Sequence, residues 1–405
     1  MNVLFLSPSF PVEMPHFVKA LAQVGANVIG MGEHPEGALP ADVRHCLSAY
    51  VQTGSLADEA RWVEDAKAVA KKVNVDRVEC LWEPGVMLAA RVREALELPG
   101  MGVEQARLFR DKELMKQALD KAGIRTPRHV RARTEDECRT AAEQIGYPLI
   151  IKPISGAGSA DTHRVDRAED LEGVLQQVAH VREVSVEEFI TGQEYTYDTI
   201  CANDRLLFAN TSWYRPQPLV GRTLEWVSPQ TICFRHPDQP MLRSGREMGK
   251  AVLTALGFET GFTHMEWFLT DAGEAVFGEI AARPPGALSV DIMNHAYDTS
   301  LFRAWAEAVT FGRFQHPVEP HYNAAVIFKR ASGQGRIQSI QGLERLVARY
   351  RPYIVEVDLN PIGAPRRNWK QTLLSDGHVM LRHPDVHAIL EMADRVGMDL
   401  QIQAG

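Results

Sequence analysis

The sequence predicts an α/β and α+β architecture. A doubly wound parallel sheet is expected over about the first hundred residues, followed by smaller mixed sheets backed by helices. Three observations carry this. Short apolar runs alternate with helical stripes as far as Leu96, the pattern of a parallel sheet covered on both faces. Between Asp111 and Ala202, capped helices and short strands are interleaved with glycine-bearing loops. Then the stretch GFTHMEWFLTDAGEAVFGEIAARPPG, residues 261–286, sets two apolar runs on either side of Thr270-Asp271-Ala272-Gly273, a hairpin signature.

In order, Asn2–Leu6 is apolar almost throughout, as a strand buried on both sides requires. A helix is expected over 15–24, a strand over 26–31, and a helix over 58–73 with apolar residues at Ala60, Val63, Ala66, Val69, Ala70 and Val73. A strand over 77–82 and a helix over 86–96 complete this part. The first strand is followed by Ser7-Pro8-Ser9-Phe10 and not by GxGxxG, which argues against a dinucleotide site. Ligands bind at the carboxyl ends of such strands, so the 7–10 and 82–85 loops are either substrate contacts or plain connections.

Leu98-Pro99-Gly100-Met101-Gly102 reads as a boundary. Asp111 caps a helix that Gly123 ends, and Thr134 opens a second, closed by Gly146. A strand over 147–153, a loop Ser155-Gly156-Ala157-Gly158-Ser159 and a helix over 168–178 follow. The strand 184–190 is expected to pair antiparallel with 194–202 across a Thr191-Gly192 turn. After Tyr322 come a strand (324–329), a helix (341–350), a strand (353–359) and a last helix (385–396).

At 405 residues the chain has room for two or three cores. Its net charge of −8 argues against a protein that coats nucleic acid or anionic membrane. Cys46, Cys80, Cys138, Cys201 and Cys233 form no CxxC pair, so they are expected as reduced core thiols of a cytoplasmic protein. No run approaches transmembrane length, and MNVLFLSPSF reads as a buried first strand rather than a signal peptide. A homodimer is compatible with this composition.

The chemistry concentrates in the hairpin. A loop at Ala272-Gly273, or a four-residue loop centred on the same point, places Glu266 directly opposite Glu279. Facing side chains lie roughly 4.5–5.5 Å apart at Cβ, where like charges repel, so the pair calls for a cation; a hard divalent ion such as Mg²⁺ fits. Arg283 falls on the side of Glu279 if the chain stays extended, which Pro284 favours. A solvated outer face would show the same residues.

Two lysines point the same way. Lys152 is set in an apolar strand just before a glycine/serine loop, and glycines let backbone N–H groups approach an anion. The order is not that of a Walker A loop. Lys112 stands in the first turn of its helix, unfavourable for a cation unless an anion lies between it and the helix end.

The pieces RDKELMKQALDKAGIRTP, YPLIIKPISGAGS, VEEFITGQEYTYD and HMEWFLTDAGEAVFGEIAARPPG, in that order over residues 107–297, resemble the ATP-grasp superfamily. The resemblance implies four parts: an N-terminal Rossmann-like domain (1–105), a lid subdomain (106–190), a core carrying the metal and catalytic site (191–315) and a C-terminal α/β subdomain (316–405). It also implies roles. Lys112 and Lys152 would hold the ATP phosphates, and the loop with Ser155, Gly156, Gly158 and Ser159 would close over them. Glu187, Glu188, Phe189 and Ile190 would form the adenine hinge, and Glu194 would bind the ribose. Glu266 and Glu279 would bind Mg²⁺, with Mn²⁺ as its substitute, and Arg283 would steady the transferred phosphate.

Many members carry Asn two residues after the second metal glutamate; here it is Ala281, leaving that contact to water or ATP. Within the superfamily the last piece resembles the amino-acid (carboxylate–amine) ligases, which implies an acyl-phosphate route joining a small carboxylate to an amine. A bicarbonate-using carboxylase and a catalytically silent ATP-binding module are the alternatives. His264 is either part of that ligase pattern or a packed residue. The stretch 210–236, with Trp213, Tyr214, Arg215, Arg222, Trp226 and Arg235, is either a pocket wall or a surface loop.

Overall fold

The computed structural model describes residues 1–156, 161–237, 239–372 and 375–405. Four parallel strands, β1 (Asn2–Leu6), β2 (Asn27–Gly32), β3 (Leu47–Gln52) and β4 (Arg77–Glu79), form the first sheet in the order β3-β2-β1-β4. Val3 and Phe5 pack into one core and Leu4 and Leu6 into another, which is why β1 had to be apolar along its whole length. The helix Met14–Gln23 covers one face, and Glu59–Ala70 and Val86–Ala95 cover the other. The edge strand β3 and the helix Ala41–Cys46 before it have no counterpart in the sequence reading. With the sequence LSAYVQ and no buried residue, β3 shows neither a continuous apolar run nor a clean alternation that would mark it.

The second sheet holds β5 (His129–Ala132), β6 (Leu149–Pro153), β7 (His163–Val165) and β8 (Val184–Glu188) in the order β5-β8-β6-β7, each pair antiparallel. Helices Glu135–Ile145 and Leu171–Val178 bury their apolar stripes against it. Thr134 caps the first, its hydroxyl accepting from Glu137 N at 3.2 Å, and Gly146 ends it at φ +82°.

The third sheet is the largest. It is built on β9 (Gln193–Ala202), β10 (Arg205–Asn210), β11 (Ser212–Arg215), β12 (Gln230–Cys233), β13 (Gly261–Leu269), β14 (Ala275–Ala281) and β15 (Asn323–Phe328). Downstream lie β16 (Ser332–Gly333), β17 (Ile337–Gln341), β18 (Ile354–Leu359), β19 (Gly377–His383) and β20 (Gln401–Ala404). The strands run β14-β13-β9-β11-β12-β15-β19-β18, with β10 also on β9, while β16, β20 and β17 make a small separate sheet.

One expected pairing is overturned. The strand ending near Ile190 does not pair with 194–202: β8 pairs with β5 and β6, and β9 pairs with β10, β11 and β13. Residues 189–192 therefore carry the chain from one sheet to another instead of closing a hairpin. Both segments have hairpin-like alternation, and only tertiary packing distinguishes the two outcomes.

The hairpin β13–β14 has the expected central pair, Glu266 opposite Glu279, but reaches it differently. The loop is centred on Ala272 rather than between Ala272 and Gly273, with Thr270 N bonded to Glu274 O at 3.0 Å and Gly273 at φ +80°. That register alone would miss the pair. A bulge between Glu266 and Trp267 on one strand, opposite Gly278 on the other, restores it. A Cβ on Gly278 would meet Glu266 O at 2.8 Å, so the bulge depends on glycine there.

Candidate active site

The largest sheet brings its acids to one face by the alternation of its strands. Tyr195, Tyr197 and Trp267 point into the core, so Glu194, Thr196 and Asp198 of β9 and His264, Glu266 and Phe268 of β13 point the other way. Their register sets Glu266 against Thr196, His264 against Asp198 and Phe268 against Glu194. From the second sheet, facing this surface, come Lys152 and Glu187. The helix Lys112–Lys121 adds Lys112 at its first turn, where Asp111 accepts from Glu113 N and Leu114 N at 3.0 Å.

These parts enclose one cleft of about 960 Å³, open to solvent. Lys112, Lys152, Gly156, Glu187, Glu188, Phe189, Ile190, Glu194, Glu266 and Glu279 all line it. Sequence reasoning named each of them from four separate stretches, and the fold brings them together. Ser155 is exposed and stands outside that lining. Gly158 and Ser159 lie outside the described residues. Ile150, Pro127, Phe268 and Leu219 supply apolar walls, and Gln217-Pro218-Leu219 assigns part of the 210–236 stretch to the cleft.

Charges are balanced unevenly across it. Lys112 Nζ donates to Gly156 O at 3.1 Å and lies 3.4 Å from Glu279 Oε2. Burial alone would raise the Glu279 carboxyl, but Lys112, Lys152 and Lys116 hold it down at about 2. Glu194 has the opposite fate: burial, then the charges of Glu266 and Glu279, push it well above the usual carboxylate range. Glu187 gives its two oxygens to two lysines, Lys116 at 2.7 Å and Lys152 at 2.9 Å. Its side chain is thus a buried ion-pair centre, which leaves hinge contacts at this position to the backbone. Glu188 is turned outward to Arg125 and to Arg128 N, at 3.2 and 3.1 Å, and the Phe189 ring carries the Arg164 guanidinium at 4.1 Å.

Arg283 lies two residues past the end of β14, beside the cleft rather than in its lining. Its Nε donates to Glu83 of the first domain, which also binds Arg110, and its Nη1 donates to Pro284 O at 2.8 Å. Burial would lower its pKa, but Glu83, then Glu279 and Glu266, hold it charged. His264 is no isolated packed histidine. Its Nδ1 is 2.6 Å from Asp198 Oδ1 and its Nε2 3.5 Å from Glu266 Oε1.

Three of these residues escaped the sequence reading. Lys116 sits on the buried stripe of its helix with Lys112, Met115 and Leu119, and a lysine on an apolar stripe was the available signal. Asp198 continues the alternation of Glu194 and Thr196, which was equally legible. Glu83 reaches Arg283 only through the packing of two domains, and no local pattern announces it.

A hard divalent ion fits the site. Glu266 and Glu279 face each other, the donors are oxygens only, and their charges add to burial in raising the Glu194 carboxyl, a repulsion that a cation would relieve. Among the described residues no group of three or more His, Cys, Asp or Glu side chains could hold a metal ion. Ala281, opposite His264, offers no ligand. The cation would rest on two carboxylates and on ligand oxygens, the usual mode for Mg²⁺ with phosphates.

Among the described residues no helix is long and apolar enough to cross a membrane, and all five cysteines are free.

Residues 109–215 match the ATP-grasp domain family. The L-arginine-specific L-amino acid ligase of Bacillus subtilis is 24% identical over 279 residues, 66% of this chain and 66% of that one. The alanine–anticapsin ligase of Bacillus subtilis is 26% identical over 279 residues, 63% of this chain and 58% of that one. The chain therefore spans about two-thirds or less of the length of these curated relatives. The crystal structure of an L-amino acid ligase from Bacillus licheniformis superposes with a TM-score of 0.79 at 20% identity, covering 100% of this chain and 98% of that one. Residues 109–215 thus carry an ATP-grasp domain match that holds both lysines and the sheet-to-sheet crossing, in a chain similar in sequence and fold to amino-acid ligases.

Proposed function

We propose that this protein is an ATP- and Mg²⁺-dependent carboxylate–amine ligase acting on amino-acid-type substrates. The observation that carries the reading is the facing pair Glu266 and Glu279, set in one cleft with Lys112 and Lys152 and flanked by Arg283. The lysines neutralise the ATP phosphates, and the apolar walls at Ile150, Pro127 and Phe268 take the base. Glu266 and Glu279 would hold Mg²⁺, which supplies charge neutralisation to the β- and γ-phosphates when bound.

In the first step a carboxylate oxygen of one substrate attacks the γ-phosphorus, and the bond from that phosphorus to the β,γ-bridging oxygen breaks. ADP leaves, and the acid is activated as an acyl phosphate. In the second step the neutral amine of the other substrate attacks the acyl carbon, its C–O bond to phosphate breaks, and the amine's surplus proton passes to solvent. Arg283, fixed by Glu83 and kept charged beside the cleft, would steady the transferred phosphoryl group in both steps. The activated acid would have to be shielded from water, because its hydrolysis would waste the ATP.

Phosphate release from ATP with amino acids, singly and in pairs, and with bicarbonate tests this. Release that requires two substrates is expected. Stimulation by bicarbonate alone would make the protein a carboxylase, and no stimulated release would make it a silent nucleotide-binding module.

A further inference from the structure

Outside the cleft, a cluster of guanidinium groups carries more charge than its neighbours balance. The helix Pro218–Thr223 sends Pro218 and Leu219 into the cleft wall and carries Arg222 to the C-terminal part of the chain. There it meets Arg330, two residues past β15, and the stretch 366–370 between β18 and β19. Trp369 is the common floor. The Arg330 guanidinium lies 4.6 Å and the Lys370 ammonium 5.5 Å from its ring centroid.

The nearby carboxylates are already committed. Glu225 accepts from Arg366 Nη2. Buried Asp376 accepts from Ala331 N and Arg367 N, both at 2.8 Å, and lies 4.0 Å from Arg366 Nε. These two acids account for Arg366. Arg330 is left with neutral partners, donating to Leu224 O at 2.9 Å and to Ser375 Oγ at 3.4 Å. Arg222 reaches one backbone oxygen, Lys370 O, at 3.5 Å. Among the described residues neither Arg222 nor Arg330 has a carboxylate within 4.0 Å. Both are half-buried. Burial lowers the pKa of Arg222, and burial with the charges of Arg222 and Arg366 brings Arg330 down to about 10 against the pull of Glu225. Two like charges drawn together out of water call for a counter-ion between them, as the facing carboxylates of the cleft do.

We infer that Arg222 and Arg330 form a binding site for a phosphate-type dianion, separate from the ATP cleft. Two guanidinium forks match both the charge and the oxygen edges of a phosphate, whereas a carboxylate would neutralise only one of them. Trp226 stands in the turn that Arg330 clasps through Leu224 O, and it is 81% exposed, a flat apolar face for the body of a phosphate ester. The inference does not depend on the ligase reading.

The test is calorimetric titration with inorganic phosphate and with phenyl phosphate at constant ionic strength, sodium chloride making up the difference. It is run on wild type, Arg222→Gln, Arg330→Gln, Trp226→Ala and Lys152→Gln; Arg222 touches a single backbone oxygen, so its replacement spares the fold. Wild type is expected to bind inorganic phosphate with a Kd on the order of 1 mM or below. Each arginine variant is expected to weaken this binding about tenfold, and Lys152→Gln, which disables the cleft, to retain it. Tighter binding of phenyl phosphate, with the gain lost in Trp226→Ala, assigns the site to the phosphate ester of an aromatic molecule; equal binding of the two probes assigns it to free phosphate. The absence of saturable binding in wild type would overturn the inference. So would phosphate binding that survives in both arginine variants and is lost in Lys152→Gln, since that places the ion in the cleft.

Discussion

Lys116 and Lys152 are joined through one carboxylate: Glu187 holds the first at 2.7 Å and the second at 2.9 Å, with Glu187 and Lys116 buried and Lys152 at the cleft wall. Burial pushes Lys116 down to about 8, against the pull of Glu187. Glu187 stays ionised far below the usual carboxylate range because the two ammonium groups outweigh its burial. The arrangement fixes where Lys152 can reach, since only the third-party lysine lets Glu187 be shared rather than captured.

Lys116→Met is therefore expected to do two things. Breaking a buried pair by removing one partner costs about 3 kcal/mol of stability, seen as a lower midpoint in urea unfolding. The freed half of Glu187 should then draw Lys152 back from the cleft and weaken ATP binding by about tenfold. A double variant, Lys116→Met with Glu187→Gln, should recover part of the stability, because no buried charge is left facing an apolar side chain. If Lys116→Met matches wild type in both measurements, the shared carboxylate has no role.

The glycine at the bulge makes a second, sharper claim. Gly278→Ala would place a methyl group 2.8 Å from Glu266 O, so the strands must separate or slip. Overpacking of this kind costs about 1–3 kcal/mol. The larger consequence is chemical: Glu266 and Glu279 lose their direct opposition, and Mg²⁺-dependent ATP affinity should fall by about tenfold or more. Calorimetric titration with ATP and Mg²⁺ checks this, and an affinity equal to wild type would show that the pairing tolerates a different hairpin.

How much of this was legible beforehand differs by residue. Strands β1, β2 and β4 of the first sheet and the helix opened by Asp111 follow from local patterns and stand as read, whereas β3 was not seen. Glu266 and Glu279 were found from a hairpin whose loop was centred half a residue too late, and the bulge at Gly278 compensates for that error. A bulge is written in backbone geometry, and a single glycine in a strand is an ambiguous sign of it. The failed pairing of 184–190 with 194–202 has a different cause. Two alternating strands separated by Thr191-Gly192 look like a hairpin from within, and only the competing strands β5, β6 and β13, drawn from across the chain, take their edges. Lys116 and Asp198 were visible as polar residues in apolar or alternating settings. Glu83, which acts on Arg283 across 200 residues, was not.

Stability should also depend on pH through His264. Burial would lower its pKa, but the charge and hydrogen bond of Asp198, then Glu266, raise it to about 9 from the ordinary 6.5. A histidine whose folded pKa lies above its unfolded one contributes stability that is fully present below pH 6.5. That contribution is lost as pH rises through about 9 and amounts to at most about 3 kcal/mol. Lys116, pushed down to about 8, contributes with the opposite sign above that pH, so the readable quantity is the difference between wild type and His264→Asn. Urea unfolding in chelated, metal-free buffer between pH 6 and 10 should show the gap between the two proteins shrinking steadily above pH 6.5. A gap that stays constant across that range would mean that His264 is neutral in the folded protein and that Asp198 is balanced by some other group.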